Sequence, residues 1–108
     1  MANNLVENIV YSWIEAGLDV DGVEIVDGHL AYRLDGFAKS GCGLLYYSPT
    51  DDKVYLETRY DQVDEIDSFE DVVKVAYWWY SDSLHLGWVM HPIISDLHDS
   101  ITQHNRDS

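Results

Sequence analysis

The hydrophobic pattern near the start of the chain has the spacing of an amphipathic helix. Asn4 can act as the N-cap, with Glu7 three residues later, and Gly17 can take the left-handed conformation that ends a helix. Apolar side chains recur between these signals, at Leu5, Val6, Ile9, Val10, Trp13 and Ile14. The sequence therefore predicts an N-terminal helix with one apolar side and one acidic side.

The residues that follow alternate between apolar and polar and predict a β-hairpin. The dipeptide Asp27-Gly28 favours a tight turn, which sets the register of the two strands. The expected pairs are Ile25 with Leu30 and Val23 with Tyr32. We expect one face of this hairpin to enter the core, carrying Val23, Ile25, Leu30, Tyr32 and Leu34.

A second hairpin is predicted over residues 43–58, with a loop at 49–52. This register divides the hairpin into two faces. One face carries Leu45, Tyr47, Val54 and Leu56, and the other carries Leu44, Tyr46, Tyr55 and Glu57. The second of these faces is unusually aromatic.

Two helical patterns follow in the C-terminal half. Ser68 is a suitable N-cap for the first, and Pro92 suits the first turn of the second. The first has an expected core stripe of Phe69, Val72, Val73, Ala76 and Tyr80, with Val75, Trp78 and Trp79 outside it. The second has inward positions at Ile93, Ile94, Leu97 and Ile101. Residues 84–90 fit either a strand or an extended connection, and the tail is expected to fray from about residue 103.

These elements predict a single α+β domain over residues 1–108. We expect an antiparallel sheet of about four strands, formed by two hairpins, packed by an N-terminal helix and one or two C-terminal helices. The chain has no apolar run long enough to span a bilayer and no signal-peptide pattern, and its one cysteine cannot form an internal disulfide. The sequence therefore predicts a cytoplasmic protein, located in the host cytoplasm if the protein is viral.

Charge is the property that most restricts the function. The formal net charge is −14, which repels nucleic acid and anionic membranes and attracts basic surfaces. Residues 1–32 contain six acids and no base, and residues 61–71 again contain six acids and no base. We expect a basic protein surface as partner and no direct contact with nucleic acid or membrane.

The densest acidic cluster is the candidate partner-binding site, formed by Asp61, Asp64, Glu65, Asp67, Glu70 and Asp71. The leading hypothesis is an interaction module that blocks a basic surface on a nucleic-acid-binding enzyme or a toxin. Phage inhibitors that mimic DNA, antitoxins and immunity proteins share this size and charge. The alternative is that the acids serve solubility and the start of the helix. The DNA-mimic hypothesis requires the two acidic segments to lie on one surface.

Four consecutive aromatic residues, at 77–80, cannot all point into one core from a helix. The candidates for self-association are Tyr77, Trp78 and Trp79, because aromatic side chains are enriched at interfaces. A homodimer, or a homo-oligomeric structural protein, is therefore the second hypothesis.

The sequence contains some reactive side chains without a recognised catalytic or metal-binding spacing. Cys42 lies in a glycine-rich segment that lacks the lysine of a phosphate loop, with His29 as a distant candidate base. The C-terminal quarter carries His85, His91, His98 and His104 beside Asp96 and Asp99. We predict no catalytic residue, no metal site and no cofactor, and keep a thiol- or metal-dependent enzyme as a third hypothesis.

Overall fold

A computed structural model describes residues 2–26, 28–37, 41–58, 62–84, 87 and 89–107. The chain forms an α+β fold with a helix, five strands and two further helices among these residues. In chain order the elements are α1 (Ala2–Glu15), β1 (Val20–Val26), β2 (His29–Phe37), β3 (Gly41–Ser48), β4 (Lys53–Glu57), β5 (Val63–Ile66), α2 (Phe69–Ser83) and α3 (Pro92–Asp107). No helix within the described ranges is long and apolar enough to cross a membrane.

The sheet is antiparallel and has the order β1-β2-β3-β4-β5, so the expectation of four strands is corrected to five. The additional strand, β5, pairs with β4 and places Val54 opposite Ile66. Sequence reasoning treated this segment as an acidic connection because it is only four residues long and half of it is charged. Ile66 is 1% exposed, so one buried side chain anchors the strand to the core.

The predicted registers of both hairpins are confirmed. Ile25 pairs with Leu30 and Val23 with Tyr32, and Gly28 in the turn has a φ of +83°. Asp27, the other predicted turn residue, lies outside the described residues. In the second hairpin the predicted pairs are Leu45 with Leu56 and Tyr47 with Val54.

Helix α1 packs mainly over β3 and β4 and ends as predicted, with Gly17 at a φ of +97°. Trp13 of α1 is fully buried. Its indole N–H donates to the carbonyl oxygens of Asp19 and Asp35, at 3.1 and 3.0 Å. Its ring meets Phe69 of α2 edge-on. Trp13 therefore connects α1 to the segment just before β1, to β2 and to the next helix.

Helix α2 contacts β2 and β5, and α3 packs against α2. The predicted core stripe of α2 is confirmed at Val72, Val73 and Ala76, which are fully buried. Trp79, expected outside that stripe, is only 7% exposed because the helices place it in the core cluster. Helical geometry in α3 continues to Asp107, beyond residue 103.

The expectation that the first hairpin contributes a core face is wrong for most of its residues. Leu34 is fully buried, but Val23 is 52% exposed, Ile25 66% and Leu30 59%. The physical reason is coverage, because α1 lies mainly over β3 and β4 and α3 packs on α2. The outer part of the hairpin extends beyond the helices.

Candidate functional site

Two of the predicted partner-binding acids lie on β5 and belong to opposite faces of the sheet, because side chains alternate along a strand. Asp64 pairs with Leu56 on the helix-covered face and lines a cavity beside α2. Glu65 pairs with Tyr55 on the other face, and its carboxylate lies 3.0 Å from Lys53 Nζ. A single flat partner surface therefore reaches only one of these carboxylates.

The other described acids of this cluster lie at the start of α2. The Ser68 hydroxyl accepts a hydrogen bond from the Asp71 N–H at 3.3 Å, and the Asp71 carboxylate accepts one from the Asp67 N–H at 2.8 Å. Glu70 is exposed in the first turn, where the helix dipole favours negative charge. Asp71 thus has a structural role as part of a reciprocal cap. Asp61 lies outside the described residues.

The strands that belong to the two acidic segments lie at opposite edges of the sheet, whereas Glu7 and Glu15 of the first segment lie on α1. Strand β1, with Asp21 and Glu24, is the first strand, and β5, with Glu65, is the last. Four interstrand spacings separate them, which is roughly 19 Å at about 4.8 Å per strand. The structure therefore does not merge the acids of β1 and β5 into one compact patch.

The sheet face opposite the helices, called here the open face, combines tyrosines with paired charges. Arg33 lies 3.7 Å from Asp21 and 3.6 Å from Glu24. The rings of Tyr46 and Tyr55 pack at 5.9 Å between centroids. Exposed ion pairs of this kind contribute about 0–1 kcal/mol each. The predicted aromatic character of this face is confirmed.

Three hydrogen bonds and one buried site raise side-chain pKa values. Hydrogen bonds to the carboxylates of Asp52 and Asp51, each 2.8 Å long, raise the pKa of Tyr47 and of Tyr55, with burial as the second cause. The contact with Glu65 raises the pKa of Lys53. Burial, followed by the charge of Asp35, raises the pKa of Tyr80. Of these groups, Lys53 and Tyr55 lie close enough on the open face to affect each other's pKa, and Tyr47 lines a cavity beside α1.

The residues predicted for self-association have different environments. Tyr77 stacks on His98 of α3, with ring centroids 3.5 Å apart, and Trp79 is 7% exposed. Trp78 is 49% exposed and lines the same cavity as Asp64. The fold uses Tyr77 and Trp79 in contacts within the monomer, and the Trp78 ring, which packs edge-on against Trp79 with centroids 5.4 Å apart, is the most exposed of the three.

The histidines of the C-terminal quarter do not converge where the structure describes them. The His91 Nδ1 accepts a hydrogen bond from the Ile93 N–H at 3.2 Å, and His98 is stacked on Tyr77. His85 and the side chains of His104 and Cys42 lie outside the described part of the structure. No group of three or more His, Cys, Asp or Glu side chains in that part is arranged to hold a metal ion.

A groove that sequence reasoning missed lies between α1 and the first hairpin. Tyr32, on the helix-covered face of β2, lines a cavity of ≈ 210 Å³ together with Glu7, Val10 and Tyr11. A second cavity, of ≈ 300 Å³, continues along Glu7 and Tyr32 to Leu30, His29 and Tyr47. Both cavities are at or below the lower end of the range for small-molecule sites.

Exposed apolar side chains border these cavities on both sides. On α1, Tyr11 is 66% exposed, and Ile14, one turn after Val10 on the same flank, is 52% exposed. We call the feature the hairpin groove, formed by Glu7, Val10, Tyr11 and Ile14 of α1 and by Val23, Ile25, Leu30 and Tyr32 of the hairpin. One feature of the sequence could have indicated this groove. Only one helix precedes the strands, and a helix about 10–12 Å wide covers few strands of a sheet, so some of the sheet is left uncovered.

Comparison with known protein families, with curated protein sequences and with solved structures yields no match to this chain.

Proposed function

We propose that this protein is a small acidic interaction module that binds and blocks a basic surface on another protein, such as a nucleic-acid-binding enzyme or a toxin. The observation that carries this proposal is the charge around the hairpin groove. Glu7 lines both cavities of the groove, and the segment 1–32, which supplies most of the lining, contains six acids and no lysine or arginine. Two of these acids, Asp21 and Glu24, pair with Arg33 on the open face. An apolar surface within an acidic segment favours a partner that is itself apolar and basic.

The internal ion pairs also support a cationic partner. Arg33 and Lys53, the two cations of the open face that form ion pairs in the described structure, are engaged by Asp21, Glu24 and Glu65. Their charge is therefore already offset within the fold. The net charge of −14 already counts these two cations, so all of it remains for attraction of a basic surface.

The proposal is non-enzymatic, requires no cofactor and places the protein in the cytoplasm, or in the host cytoplasm if the protein is viral. His91 caps a helix and His98 stacks within the fold, so each already has a structural use. A thiol- or metal-dependent enzyme that uses Cys42 and the C-terminal histidines remains the alternative. Metal retained after native purification would favour that alternative.

The experiment that tests the proposal is affinity capture from the native host, followed by measurement of the dissociation constant of the captured partner at low and high salt. We expect affinity to fall as salt rises, because exposed charges are screened. Affinity that does not depend on salt would contradict the proposal.

Two double variants with equal net charge locate the acids that matter. Glu7→Gln with Glu15→Gln changes the α1 side, and Asp67→Asn with Glu70→Gln changes the candidate cluster at the start of α2. We expect the α1 variant to bind more weakly than the α2 variant. The opposite order would assign binding to the 61–71 acids predicted from the sequence.

A homodimer through the aromatic helix is a second proposal, supported by the 49% exposure of Trp78. Light scattering across a range of protein concentrations tests it. Association that Trp78→Ser abolishes would support this proposal, and a monomer at all concentrations would contradict it.

A further inference from the structure

We infer that the hairpin groove is the docking site for a basic amphipathic helix of the partner protein, an inference that rests on the proposed function. The groove exposes apolar area on both of its sides, from Tyr11 and Ile14 on α1 and from Val23, Ile25 and Leu30 on the hairpin. Burial of apolar surface provides about 25 cal/mol per Å². This patch therefore supplies binding energy that the monomer does not use for its own core.

The position of the groove favours a helix over an added strand. Leu30 and Tyr32 lie on β2, one strand inside the edge strand β1. A strand that extends the sheet at β1 would lie in the plane of the sheet and leave these two side chains uncovered. A helix placed beside α1 would instead continue the existing helical layer over the exposed hairpin. Its apolar stripe would meet Ile25 and Leu30 directly.

The negative charge of the groove indicates that the polar side of the partner helix is basic. The same charge disfavours a second copy of this chain as the partner. Glu7 lines both cavities of the groove, and segment 1–32 contains no lysine or arginine. Two copies that met through this segment would bring acids against acids, at a net charge of −14 each. A helix with lysine or arginine beside its apolar stripe meets opposite charge instead.

The test uses the full chain and three synthetic peptides of about 18 residues, long enough to form a helix on binding. The first carries leucine at helical spacing with lysine and alanine elsewhere. The second has the same composition in a scrambled order that has no apolar stripe. The third replaces each lysine of the first with glutamate. Titration calorimetry measures the affinity of each peptide, and circular dichroism measures its conformation when bound.

We expect the amphipathic basic peptide to bind as a helix and more tightly than the scrambled peptide, and the acidic peptide not to bind. Ile25→Ser and Leu30→Ser should each weaken the amphipathic peptide about tenfold, the effect typical of a central interface side chain. The matched control is Val63→Ser, at a 46% exposed apolar residue on the opposite edge strand, which should leave affinity unchanged.

The other outcomes separate this inference from the proposed function. If the amphipathic and scrambled basic peptides bind with equal, salt-dependent affinity that Ile25→Ser does not change, the hairpin groove is not the binding site. The proposal of an acidic interaction module would still stand. A peptide that binds as a β-strand would contradict the inference that the partner segment is a helix. A chain that sediments as a dimer and dissociates on Ile25→Ser would assign the groove to a second copy. No binding of either basic peptide at low salt would contradict the proposed function itself.

Discussion

The two hairpins of the sheet carry the same alternation of apolar and polar residues but differ in what covers them. In the second hairpin, Leu45 and Leu56 are fully buried beneath the helices. In the first, Ile25 and Leu30 occupy equivalent paired positions and are 66% and 59% exposed. The sequence pattern is therefore a reliable indicator of pairing and a poor indicator of burial.

This difference separates stability from binding. Apolar residues under α1 stabilise the monomer, because folding removes their side chains from water. The same residue types in the first hairpin still contact water after folding. Their transfer free energy is available to a partner that covers them, which is why the uncovered hairpin is the stronger candidate for recognition.

The largest expected effect compares one residue from each hairpin. Leu56→Ala should lower the free energy of unfolding by about 2–5 kcal/mol, because it leaves a cavity in the core. Ile25→Ala should change it by no more than about 0.5 kcal/mol, as for most exposed positions. Urea denaturation of both variants measures the difference. Equal losses of unfolding free energy in the two variants would show that Ile25 is covered in solution, which would contradict the difference between the two hairpins.

The next effect concerns the contact that joins α1 to the uncovered hairpin. Trp13→Phe keeps an aromatic ring but removes the N–H that the carbonyl oxygens of Asp19 and Asp35 accept. We expect a loss of about 1–3 kcal/mol, because two partly buried hydrogen bonds of about 0.5–1.5 kcal/mol each are removed, while the Asp19 carbonyl still accepts from the Asp35 N–H at 2.9 Å. Trp78→Phe is the control at a half-exposed ring and should cost less than Trp13→Phe. A loss of the same size in both variants would mean that these hydrogen bonds do not hold α1 in place.

Local signals explain which parts of the fold were predictable. The registers followed from the turn at Gly28 and from the length of the second loop, since both are set by neighbouring residues. The C-terminal end of α1 and the start of α2 followed from Gly17 and Ser68 for the same reason. The prediction of Asn4 as the N-cap of α1 is wrong, because the helix begins at Ala2 and Asn4 lies within it. Strand β5 was missed because four residues with two acids carry too weak an alternation to distinguish a strand from a loop.

The candidate site was less predictable because exposure depends on distant elements. No local pattern distinguishes Ile25 from Leu56, and the distinction arises only from where α1 lies. The acids at 61–71 are close in sequence, yet strand alternation places Asp64 and Glu65 on opposite faces. Their role in partner binding stays a prediction, whereas the hairpin groove could be found only from the tertiary arrangement.

A third and smaller effect tests how the covering helix α2 is attached to the sheet. Ser68→Ala removes the side chain that accepts from the Asp71 N–H and should cost about 1 kcal/mol. Ser81→Ala changes an exposed serine inside the same helix and should stay within about 0.5 kcal/mol. Thermal unfolding of both variants provides the measurement. An unaffected Ser68→Ala protein would indicate that packing against the sheet alone positions α2.

The smallest effect compares two tyrosines from opposite faces of the second hairpin. Tyr47 lines the groove cavity and Tyr55 lies on the open face, yet a hydrogen bond to a carboxylate of the same turn raises the pKa of both. Asp52→Asn should lower the pKa of Tyr47 toward its ordinary value of about 10 and leave that of Tyr55 unchanged. Asparagine also tolerates the left-handed backbone of Asp52, at a φ of +53°.

The hydrogen bond favours the protonated phenol of Tyr47 in the folded state, and this sets how the stability of the fold depends on pH. The stabilisation is complete below the unfolded pKa of about 10 and is lost as pH rises through the higher folded value. NMR titration of the tyrosine Cζ signals, with denaturation at matched pH values, measures both effects. If the pKa of Tyr47 does not change in the Asp52→Asn protein, then burial beside α1, rather than the hydrogen bond, controls its ionisation. The two faces of the second hairpin would then differ in their electrostatics as well as in how far the helices cover them.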